Sequence, residues 1–222
     1  MWKSMIYKEW LKIRWFLAGS VIIGLVAMAY IFMNAQRAIT FQGASSLWYL
    51  ILFQNLQFYS LFKFIPLLIG AAIGVAQYFP ETVNKRIKLT FHLPLQENKA
   101  VIMMLAAGTV SLIVCFLLHF LTFWALSSNF FGPEITHAAL ITIFPWFLAG
   151  LNAYFLVGLI ILEPIWLYRL LYSLAALAFI PFFMKYGIAG AYAPINPILA
   201  VLTVLLSVSL LFSAYRFRKG EM

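Results

Sequence analysis

Apolar residues fill this chain in long blocks, and short polar stretches separate them. The blocks predict membrane spans at about 15–33, 60–79, 101–126, 139–162, 170–184 and 198–215. Most reach the roughly 20 residues that a helix needs to cross about 30 Å of hydrocarbon. A transmembrane barrel would show alternating segments of about ten residues instead. The predicted fold is all-α: a polytopic membrane protein with six transmembrane helices, forming one domain over 1–222.

The polar stretches carry the detail. Residues 2–14 read as an amphipathic helix, with Trp2, Ile6, Trp10 and Ile13 on one face and Lys3, Lys8, Glu9 and Lys12 pointing elsewhere. Tryptophan opposite lysine suits a helix lying in the headgroup layer. Asn34 to Ser46 is polar, contains glycine and serine, and is expected to be a loop. Trp48 to Phe79 would make a helix of about 48 Å, so the span is counted back from Pro80 to Ser60. That leaves Trp48–Tyr59 as an extension or an interfacial turn. Ser127–Thr136 reads as an outer turn, Ile165–Arg169 as a short inner turn, and Lys185–Pro197 as irregular.

Tyr78–Lys99 is the longest polar interruption and holds two of the six acidic and four of the fifteen basic residues. Pro80 and Glu81 suit a first helical turn. Val83, Ile87 and Phe91 repeat every four residues, and Pro94 ends the pattern. Segment 80–99 is expected to form a short amphipathic helix and a return. It could be a docking helix for a soluble partner or a solvated basic loop beside anionic lipid.

Charge orients the spans. Six crossings put both termini on one side. With the amino terminus inside, twelve basic residues fall inside and only Arg37, Lys63 and Lys185 outside. That is a positive-inside pattern, with both termini cytoplasmic. The same pattern accounts for the net charge of +9 without nucleic acid as a partner. At 65% hydrophobic and 9% charged, the chain is far from a soluble domain, where the values are about 45–50% and about 25%.

Chemistry is sparse. There is no P-loop, no H-E-x-x-H, no C-x-x-C and no G-x-S-x-G, so neither nucleotide binding nor these hydrolytic and redox mechanisms are indicated. His92, His119 and His137 are predicted in different compartments and do not suit one metal site. No catalytic residue and no resident metal are expected. Lys63 and His119 are the possible pathway residues, because ionisable groups within spans are functional candidates. The plainer reading is that Lys63 snorkels to the outer boundary and that His119 is a hydrogen-bonded packing residue. No cluster of ionisable groups at one depth is apparent.

An amphipathic amino-terminal helix and six spans precede and follow an inner loop of a particular form. It has an acidic residue (Glu81), a run Ile87-Lys88-Leu89-Thr90-Phe91-His92-Leu93-Pro94, and Lys99 opening the next helix. This resembles the type-2 ATP-binding-cassette (ABC) exporter permeases. The resemblance implies a permease subunit in a bacterial cytoplasmic (inner) membrane, paired with a second identical or related permease. Each would dock on a separate soluble P-loop ATPase, which alone would hold ATP and Mg. The implied docking residues are Glu81, Thr82, Lys85, Arg86, Ile87, Phe91, Pro94 and Lys99, with Glu163 and Arg169 from the other inner turn. Two other readings stay open: an ATP-independent secondary transporter or channel, and an intramembrane enzyme or assembly scaffold.

Overall fold

A computed structural model of the chain describes residues 2–83, 97–185 and 188–219. The described residues are helices joined by short turns. The elements are α1 (Trp2–Gln42), α2 (Ala44–Phe53), α3 (Ile65–Val83), α4 (Glu97–Phe130), α5 (Pro133–Leu162), α6 (Trp166–Phe179) and α7 (Asn196–Lys219). Short 3-10 turns at Ser60–Phe64 and Ile180–Phe183 precede α3 and follow α6. Five stretches, in α1, α3, α4, α5 and α6, are long and apolar enough to cross a membrane, while the apolar part of α7, Asn196–Leu210, is shorter.

Helix α1 is one continuous helix of 41 residues, about 60 Å long at 1.5 Å per residue. No break separates 2–14 from 15–33. The predicted loop at Asn34–Ser46 is also largely helical. Nothing between Asn34 and Gln42 is glycine or proline, Ala35 is buried, and Thr40 donates to the Gln36 carbonyl. The chain turns only at Gly43, whose φ of 83° lies in the region that favours glycine. Helix α2 then ends in a bend where Asn55 takes φ 56°, a left-handed conformation that asparagine tolerates.

The other turns are tighter than the sequence suggests. Helix α4 continues to Phe130 and α5 begins at Pro133, where a missing N–H costs nothing and Glu134 meets the positive end of the helix. Ser127 and Thr136 close this corner through their hydroxyls at 3.1 Å. Helix α6 begins at Trp166 rather than Leu170, because Glu163-Pro164-Ile165 alone makes the turn.

Helix α5 is the centre: 78% of its most apolar window is buried, against 6% for the stretch Trp166–Phe183. Its tightest neighbour is α3. Gly70 lies against the Gly150 carbonyl and Gly150 against the Pro66 carbonyl, so a β-carbon at either would collide with backbone. Gly70 and Gly74 form a G-x-x-x-G pair, the spacing that lets two helices in lipid approach closely. At the far end, rings from several elements close the bundle. Phe58 lies 4.5 Å from Phe131 and Phe32 lies 5.5 Å from Phe123, centroid to centroid.

Candidate functional site

The buried face of α3 runs Ile69, Gly70, Ile73, Gly74, Gln77, Tyr78 and Glu81. It is apolar and small for two turns and then polar. On α1 the buried positions near the start are Met5, Glu9 and Ile13, four residues apart. The two polar ends meet. Glu9 is 3% exposed and Glu81 1% exposed, yet both carboxylates have cationic or amide partners.

Lys12 Nζ donates to both oxygens of Glu9 at 2.6 and 2.7 Å, and to Glu81 at 2.8 Å. Those are its three protons. Lys8 reaches the same Glu81 oxygen at 2.9 Å. Gln77 Nε2 donates to Glu9 at 3.0 Å and to the Met104 carbonyl of α4 at 2.7 Å. Gln77 Oε1 accepts from the Tyr154 hydroxyl at 2.8 Å, and Tyr154 accepts from Tyr78 at 2.7 Å. A hydrogen-bonded chain therefore runs from half-exposed Lys8 to Tyr78 in the core. It passes through α1, α3 and α5 and touches the backbone of α4. Gly108 of α4 sits where any β-carbon would overlap Gln77 and Tyr154.

Two ammonium groups and two carboxylates leave this knot formally neutral. Burying charges singly costs several kcal/mol each, and here each is paired or hydrogen-bonded. The arrangement can brace three helices at one end of the bundle. It offers no activated nucleophile, and no metal-binding group of three or more ligands occurs among the described residues.

The knot sharpens one expectation and corrects another. Lys8, Glu9 and Lys12 do point elsewhere than Ile6 and Trp10, but Glu9 and Lys12 turn into the protein. Ionisable groups do cluster, because residues nearly 70 positions apart are brought together. The apolar stripe of α1 is divided: Ile6 and Trp10 are exposed and Ile13 is fully buried. All three line a groove of about 320 Å³ against Met103, Ala107 and Val110 of α4. Trp2 begins α1, and its side chain is outside the described residues.

Of the residues expected to dock a partner, the described ones fall into different neighbourhoods. Glu81 belongs to the knot. Thr82 and Arg169 line a common cavity of about 650 Å³ between the ends of α3 and α5 and the start of α6. Glu163 is fully buried behind it, and its carbonyl accepts from Arg169 Nε at 2.6 Å. Lys99 is exposed in the first turns of α4. Lys85, Arg86, Ile87, Phe91 and Pro94 lie outside the described residues.

The Lys63 amine stands 5.7 Å from the Phe64 ring. His119 is fully buried in α4, with Nε2 3.4 Å from the Val21 carbonyl of α1 and Nδ1 3.8 Å from Cys115. Gly24 of α1 leaves room for its ring.

No protein-family model matches this chain, and no curated protein or solved structure is similar enough to count as a match.

Proposed function

We propose that this chain is the membrane-spanning permease subunit of an ABC exporter in a bacterial inner membrane, driven by a separate P-loop ATPase. A second copy or a related permease completes the translocation unit. The apolar part of α7 supplies the sixth crossing, so both termini are cytoplasmic. The knot carries the reading. It ties α1 to the last turns of α3, immediately before segment 84–96, and to α5 through Tyr154. Force applied to that segment by an ATPase would reach three helices at once. Glu81 then acts as an internal anchor, and Lys85, Arg86, Ile87 and Phe91 are the docking residues proper.

The test has two arms. Affinity purification of the chain from its native membrane recovers a P-loop ATPase whose activity rises in the complex. Charge reversal at Lys85 and Arg86 removes that ATPase, whereas Glu81→Gln keeps it bound but lowers the stimulated rate. Retention of both binding and full activity in the reversed variant would defeat the docking assignment.

The knot also favours a second reading, an ATP-independent transporter. Ionisable groups buried in a membrane protein often mark ion or proton pathways. Transport by the purified chain alone in vesicles, lost on Glu9→Gln, would select it.

A further inference from the structure

The cavity between α3, α5 and α6 has apolar walls from Phe79, Ile161 and Leu170, with Thr82, Trp166 and Arg169 around them. The hydroxyls are committed to backbone: Thr82 donates to the Phe79 carbonyl and Ser173 to the Arg169 carbonyl. Among the described residues, Arg169 is the one charged residue in the lining. Its Nε–H is held by the Glu163 carbonyl at 2.6 Å, which fixes the guanidinium plane and commits one of its five N–H groups. Trp166 is 73% exposed beside it, as tryptophans at the headgroup level are. An anchored cation at the mouth of an oily slot is complementary to an amphiphile with a negative head.

We propose that this cavity binds an anionic phospholipid, its phosphate on Arg169 and the first part of an acyl chain along Phe79, Ile161 and Leu170. A planar guanidinium suits a phosphate bidentately. About 650 Å³ is a small-molecule volume, enough for a headgroup and part of one chain. The site needs only that the chain sits in a membrane. It is independent of the transport reading and is tested without an ATPase.

Phospholipids brominated on the acyl chain quench nearby tryptophan. The full chain is reconstituted in nanodiscs of unbrominated phosphatidylcholine, doped with brominated phosphatidylglycerol or brominated phosphatidylcholine. The Trp166 signal is the difference between the wild type and Trp166→Phe. Phosphatidylglycerol is expected to quench it at about fivefold lower mole fraction than phosphatidylcholine, the worth of one basic side chain at an anionic surface. Arg169→Gln abolishes the preference, and Arg169→Lys, which keeps the charge, retains part of it. Ser173→Phe, which fills the slot and leaves Arg169 in place, weakens quenching by phosphatidylglycerol. Equal quenching by the two lipids in the wild type overturns the proposal. So does a preference unchanged in Arg169→Gln, or reversal of quenching by excess glycerol phosphate, which would place a free anion there instead.

Discussion

Lys12 and Lys8 both contact Glu81, and only one of them should matter to stability. Unit charges 2.8 Å apart, as for Lys12 and Glu81, attract by about 6 kcal/mol at an effective dielectric constant of about 20. Desolvation of both ions offsets most of that. Stranding one partner of a buried pair costs about 3–5 kcal/mol. Glu81→Ala does not strand Lys12, because both oxygens of Glu9 still hold it, so the cost falls to about 2–3 kcal/mol. Lys12→Ala costs more, about 3–5 kcal/mol, since two carboxylates lose the proton donor they share. The double-mutant coupling for Lys12 and Glu81 is expected at about 1.5–3 kcal/mol. The Lys8 side chain is 40% exposed against 13% for Lys12, and water can replace Glu81 there. Its coupling with Glu81 should stay below about 1 kcal/mol. The assay is built into the chain: Cys115 is its single cysteine and is buried, so a thiol-reactive dye reports unfolding during titration with a denaturing detergent. A coupling for Lys8 equal to or larger than that for Lys12 would refute the reasoning, as would two couplings near zero.

Gly70→Ala and Gly150→Ala each place a methyl group against backbone and should destabilise by about 1–3 kcal/mol or more. Gly19→Ala, with open space around it, should be neutral in the same Cys115 assay. Tyr154→Phe removes both a donor to Gln77 and an acceptor for Tyr78, and should cost about 1–3 kcal/mol. Tyr78→Phe leaves the Tyr154–Gln77 bond intact and should cost less, about 0.5–1.5 kcal/mol; the reverse order in detergent unfolding would contradict the hydrogen-bond chain. Gly24→Leu should expel the His119 ring from its niche and raise Cys115 labelling in the folded protein.

The helices were legible because hydrophobic blocks of span length have few other solutions. Their ends were not. Polar residues at 34–42 suggested a loop, but polarity alone does not stop a helix that lacks glycine and proline. The knot was hidden for a different reason. Lysine and glutamate near an amino terminus ordinarily face water, and only a partner about 70 residues away makes Glu9 and Lys12 interior. A signal was present all the same. Gln77 and Glu81 continue, at four-residue spacing, the stripe begun by Ile69 and Ile73, and polar residues on a buried stripe call for partners. Met5, Glu9 and Ile13 form the matching stripe on α1. The tryptophan stripe of Trp2, Ile6 and Trp10 shares Ile13 with it and masks it in the sequence. The Gly70–Gly74 pair was readable as a packing motif, but its partner Gly150 was not, because nothing local marks which helix will cross there.

The proposed function requires an ATPase bound to segment 80–99. A photo-cross-linking amino acid at position 86, in cells that express the chain from its own membrane, tests this most directly. The account predicts a cross-linked product that contains a P-loop ATPase and disappears when Lys85 is replaced by Glu in the same chain. Cross-links to lipid alone, together with transport by the purified chain without ATP, would contradict it.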